Sequence, residues 1–197
     1  MEQFIFITLI VASILSLTFI IERGLALRWT QVIPPAVEQA QESCKTPAQI
    51  DTLRAVCQSH PSPLSNLLLT AANHLDRPRQ ETIDALQTRA RNEVVRLERG
   101  LVMLEIVTGI APLLGLVGTV MGLIKLFGAM GGSPTGDQAK FAEGIALALN
   151  ATLMGLIIAI PSLVAWSYYN KKVETLTVEM ETHCDEFLRR QYRQMEH

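Results

Sequence analysis

The sequence predicts an all-α membrane protein with three transmembrane helices. The second and third continue into the cytoplasm as long helices, beside a small helical cytoplasmic region. Three observations carry this. The 197 residues are 49% hydrophobic and only 18% charged, against about 25% charged in an ordinary soluble domain. The mean hydropathy is positive, at +0.25. The apolar residues also fall into three uncharged blocks, each at or above the roughly 18 residues that a spanning helix needs. A net charge of −2 and a pI near 6.1 disfavour a nucleic-acid binder. The apolar content excludes a disordered chain. Cys44, Cys57 and Cys184 are too few and too scattered for a disulfide framework.

Residues 1–3 form a short external N-terminus, and 4–21 the first span, with only Thr and Ser as polar residues. Met-Glu-Gln before it is acidic, and no small-x-small site precedes Glu22-Arg23, so the helix is expected to be retained rather than cleaved. Residues 22–100 form a cytoplasmic helical region. Pro34-Pro35 open a helix, Gln49–Gln58 and Leu64–Leu75 read as short amphipathic helices, and Pro78 starts a stretch with Ile83, Leu86, Ala90, Val94 and Leu97 as its apolar stripe. That stretch has no interior breaker and runs straight into the second span, 101–127, so Pro78–Phe127 is expected to be nearly one helix. Residues 128–142 form a periplasmic loop and 143–169 the third span. The tail, 170–197, continues it with Leu176, Met180, Cys184, Phe187 and Gln191 as a stripe. Most Lys and Arg lie in 22–100 and in the tail, while the 128–142 loop has Lys140 alone. The positive-inside rule then places the N-terminus outside and the tail in the cytoplasm.

The soluble parts carry no nucleotide loop, triad or metal cluster. Cys44, Cys57 and His60 fit no zinc spacing, so neither enzyme, cofactor nor metal is expected. The chemistry is expected in the second and third spans. At helical spacing Thr108, Pro112, Gly115, Thr119 and Gly122 share one small, weakly polar face. Ile145, Ala148, Thr152, Gly155, Ala159 and Ser162 share another. Small residues let membrane helices approach closely, and tight packing alone would account for both faces. Thr119 and Thr152 also lie at one depth, about 20 Å from the inner surface at 1.5 Å per residue. Two hydroxyls at one depth can line a polar spot for an ion or a partner's carboxylate. Glu105, Lys125 and Glu143 stand at the ends of the spans, and neither span holds a mid-membrane acid. An ion relay usually needs one, so a conducting protein of this kind would take it from another subunit.

Two motifs carry a resemblance. Ala111-Pro112-Leu113-Leu114-Gly115-Leu116-Val117-Gly118-Thr119-Val120-Met121-Gly122 resembles a signature of the TolQ/ExbB/MotA proton-channel family, and 144–161, GIALALNATLMGLIIAIP, resembles its third-helix signature. Three spans with an external N-terminus resemble the ExbB/TolQ branch. The resemblance implies a homo-oligomer, a pentamer, around a dimer of ExbD- or TolR-like single-span partners that each carry a membrane Asp. It implies proton or sodium flow in the bacterial inner membrane, with work passed to a TonB- or TolA-like protein. Thr119 and Thr152 match the family's pore threonines, and Thr108 and Asn150 join them as candidate lining residues. Pro112, Gly115, Gly118, Gly122, Ala148, Gly155 and Ala159 would pack the ring and meet the partner helices. Lys125 and Glu143, with Glu105, would be rim charges. The family often has Glu in the pattern AEAL where this chain has Ala146-Leu147-Ala148-Leu149. Asn150, three residues on, either takes over a hydrogen-bonding role or bonds a neighbouring helix, and the choice between proton and sodium stays open. The competing reading is a structural membrane scaffold of the same fold without ion conduction.

Overall fold

A computed structural model describes residues 2–44, 47–130 and 138–195. Among these the secondary structure is helical: α1 (Glu2–Ala26), α2 (Trp29–Val32), α3 (Pro35–Ser43), α4 (Ile50–Ser59), α5 (Pro63–Asn73), α6 (Arg79–Glu98), α7 (Leu101–Met130) and α8 (Gln138–Met195), with one 3-10 turn at Pro47–Gln49. Segments of α1, α7 and α8 are long and apolar enough to cross a membrane, as the three blocks predict. The chain divides into two units. One holds residues 1–23 and 100–168, and the other holds 24–99 and 169–197.

In the first unit α1, α7 and the first part of α8 pack through an apolar cluster of Ile5, Leu9, Val107, Ala111, Ile158 and Ala159. Ile5, Leu9 and Ser16 recur along α1 at steps of four and seven, the spacing of one helical face. Ser16 and Ser162 are both buried and their oxygens are 2.5 Å apart. Ser162 gives its single proton to the Ile158 carbonyl at 2.7 Å, so Ser16 is the donor of the pair. Prolines sit inside both spans. Pro112 has no N–H for the Thr108 carbonyl, and Pro161 has none for that of Ile157.

The second unit packs α3, α4, α5 and α6 with the rest of α8. Its core includes Val37, Leu53, Leu64, Leu67 and Leu68 together with Leu176, Met180, Cys184 and Phe187 from the predicted tail stripe. Helix starts follow the sequence signals. Ser62 caps α5, its Oγ accepting from the Ser65 N–H at 3.1 Å, with Pro63 in the first turn. Gln41 and Gln191, both fully buried, tie the α3 region to α8. Gln191 Nε2 donates to the Cys44 carbonyl at 3.1 Å and Gln41 Nε2 to that of His183 at 3.3 Å. Glu93 is buried on α6, where Arg89 pairs with it at 3.0 Å and Asn66 Nδ2 donates to it at 3.1 Å.

The expected single helix over Pro78–Phe127 is interrupted at Arg99 and Gly100. Glycine is among the weakest helix formers. Gly100 is buried, and the Arg23 side chain lies where its Cβ would be. Of the predicted periplasmic loop, 128–130 belong to the end of α7 and 138–142 to the start of α8, and 131–137 lie outside the described residues, as does residue 1 of the external N-terminus; the side chain of Lys140 is likewise not described.

Candidate functional site

Helices α7 and α8 run antiparallel at glycine-limited distance. A Cβ on Gly155 would sit 2.6 Å from the Ala111 carbonyl oxygen and 3.2 Å from Gly115 Cα. One on Gly115 would meet the Ala151 oxygen at 3.0 Å and Thr152 Cα at 3.1 Å, and one on Gly122 would meet Ala148 Cβ at 3.0 Å. Gly118 faces Ala151, with Ile5 of α1 at 3.8 Å. These contacts set the register. Gly122 lies opposite Ala148 and Gly118 opposite Ala151, so Thr119 is level with residues 150–151. That is within about two residues, ~3 Å, of Thr152.

The same contacts decide which way the hydroxyls face. Helix α1 lies against the side of the α7–α8 seam marked by Gly118, Ile158 and Ser162. At about 100° per residue, Thr108, Pro112 and Thr119 turn to the other side of α7, and Thr152 turns to the same side of α8. All four are half-buried. The hydroxyls bond to backbone. Thr119 Oγ1 donates to the Leu116 carbonyl at 2.6 Å, Thr108 Oγ1 to that of Glu105 at 2.7 Å, and Thr152 Oγ1 crosses the seam to that of Gly115 at 3.3 Å. The site is a flank of two helices, away from α1, with three threonines and the ring of Pro112.

Residues 59–182 match the MotA/TolQ/ExbB proton channel family, over more than half of the chain. This chain belongs to that family. The match begins well upstream of the two motifs that carry the resemblance. Among its relatives, an ExbB homologue of Methanothermobacter thermautotrophicus is 33% identical over 141 residues, 72% of this chain and 50% of the relative. The Tol-Pal system protein TolQ of Pseudomonas aeruginosa is 29% identical over 199 aligned positions, 94% of this chain and 85% of the relative. The biopolymer transport protein ExbB of Helicobacter pylori is 35% identical over 103 residues, 52% of this chain and 66% of the relative. The three apolar helices and this kinship make the chain a multi-pass membrane protein of a channel family.

Within the MotA/TolQ/ExbB fold, the structure brings together some of the expected site residues and parts others. Thr108, Thr119 and Thr152 share the flank. Asn150 does not join them. It stands two residues before Thr152, about 160° around α8, and is exposed on the opposite face. Gly115, Gly118, Gly122, Ala148 and Gly155, expected to pack the ring and touch partner helices, are buried in the chain's own α7–α8 seam. Ala159 is buried in the cluster with α1. Pro112 alone of that set stays half-open on the flank. Glu105, Lys125 and Glu143 are exposed. Leu147 is half-buried. Among the described residues no three His, Cys, Asp or Glu side chains gather as metal ligands. Sequence reasoning missed the role of Ser16. Its α1 spacing from Ile5 and Leu9 would have marked it as a polar residue on a packed face.

Proposed function

We propose that this chain is the ion-conducting, stator-like subunit of an energy-transducing complex of the ExbB/TolQ kind. Protons, or sodium ions, pass along the Thr108–Thr119–Thr152 flank. The carboxylate that such a relay requires comes from a single-span partner, because neither apolar block, 106–124 or 144–166, contains Asp or Glu. Copies of the chain assemble as a ring, a pentamer, with the threonine flanks turned toward a dimer of partner helices. The ring works in the inner membrane on a TonB- or TolA-like protein that crosses the periplasm. The N-terminus is periplasmic and the C-terminus cytoplasmic, in keeping with the Lys and Arg distribution.

The observation that carries the reading is the sidedness of the hydroxyls. A pair of helices held by glycine contacts keeps α1 on one side and all three threonines on the other. Packing accounts for the glycines and for the Thr152–Gly115 bond, whereas the Thr108 and Thr119 hydroxyls bond only within α7 and stand on the side that α1 leaves uncovered. The experiment is ion flux into liposomes holding this chain with its single-span partner, under separate proton and sodium gradients. Flux should vanish when the partner's membrane Asp is changed to Asn, and the effective gradient names the ion. Flux indifferent to that change would return the chain to the scaffold reading.

A further inference from the structure

The hydrogen bonds on the threonine flank fix its polarity. A threonine hydroxyl has one proton and two lone pairs. All three protons are already placed on backbone carbonyls: Thr108 on Glu105, Thr119 on Leu116 and Thr152 on Gly115. What the oxygens present outward is lone pairs alone. The backbone adds to this. Amide N–H groups inside a helix are bonded to carbonyls four residues back, while Pro112 withholds a donor from the Thr108 carbonyl and leaves a further acceptor on the same flank. Glu105 at the flank's end, when ionised, only accepts.

We infer that this flank is an acceptor-only site, one that holds a partner's carboxyl group in its neutral, protonated form and disfavours the carboxylate. The inference rests on the proposed reading, in which a membrane acid from a partner faces these threonines. It adds which protonation state they recognise. A protonated carboxyl brings the one thing the flank lacks, a donated proton. An ionised carboxylate would set its lone pairs against theirs in a medium of low dielectric, where an unpaired polar contact is most costly.

The test is carbodiimide labelling of the partner's acid in the reconstituted complex as a function of pH, read by mass spectrometry, since the reagent modifies the protonated carboxyl. The wild-type chain is compared with Thr119→Val/Thr152→Val and with Thr119→Ser/Thr152→Ser, each shown to co-purify with the partner. Valine keeps the shape and removes the acceptors, so the pH of half-labelling should fall by about one unit, the worth of one or two neutral hydrogen bonds. Serine keeps the acceptors and should hold the wild-type value. A rise with valine would mean that the hydroxyls had been donating to the anion. That overturns this inference and leaves the proposed function standing. A midpoint that none of these variants moves would mean that the threonines do not face the acid, and both would fall.

Discussion

Gly155→Ala is the sharpest test of the packing that builds the site. The added Cβ would stand 2.6 Å from the Ala111 oxygen and 3.2 Å from Gly115 Cα, where carbon contacts are ordinarily about 3.5–4.0 Å. Both neighbours are backbone, so no side chain can swing aside and the helices must part by roughly 0.5–1 Å. Overpacking of this kind costs about 1–3 kcal/mol, and alanine returns up to ~1 kcal/mol through helix propensity. The expected net loss is about 1–2 kcal/mol, a fall of roughly 2–8 °C in melting temperature for a chain of this size. The same parting carries the Thr152 hydroxyl, at 3.3 Å from the Gly115 carbonyl, beyond hydrogen-bonding range, so flux should fall with stability. The assay is thermal unfolding in detergent followed by size exclusion. Gly109→Ala serves as the control, because a Cβ there meets nothing within 4 Å in this chain. A Gly155→Ala protein that melts at or above the wild-type temperature would refute the glycine-limited seam.

Two further predictions concern buried groups. Ser162→Ala should cost about 0.6–1.7 kcal/mol, the range for hydrogen bonds between membrane helices. Ser16→Ala/Ser162→Ala should cost less than the sum of the single changes in a double-mutant cycle of SDS unfolding, whereas strict additivity would deny the bond. The buried thiols in the second unit are held neutral. Burial pushes Cys57 up to about 11 and Cys184 to about 12, and raises Cys44. Their folded values lie above the unfolded one, so their contribution to stability is whole below pH 9 and is lost as pH rises from there toward 12. Iodoacetamide at pH 8 should therefore modify them only on unfolding, and rapid native labelling followed by mass spectrometry would contradict this burial.

Much of this architecture is legible in the chain because the strongest signals are local. Uncharged blocks give the spans, the prolines give the helix starts, and the tail stripe from Leu176 to Phe187 is buried as its spacing predicts. The level of Thr119 with Thr152 also follows from counting residues. What periodicity does not give is which part of a broad small-residue face a neighbour occupies. Gly115 and Gly122 share a sequence face with Thr119, yet α8 takes the glycines and leaves the hydroxyl at the edge. The side covered by α1 depends on Ile5 and Ser16, more than 100 residues away from their partners on α7 and α8. Asn150 is near Thr152 in sequence but about 160° away around α8.

The most direct test of the central claim is ion flux through the reconstituted complex with Thr119→Val/Thr152→Val, set against Thr18→Val. Thr18 is an exposed hydroxyl on α1 whose proton goes to its own helix, at 2.8 Å from the Ile14 carbonyl. Loss of flux in the double variant with flux intact in Thr18→Val is the predicted result. Undiminished flux in the double variant would contradict conduction along this flank.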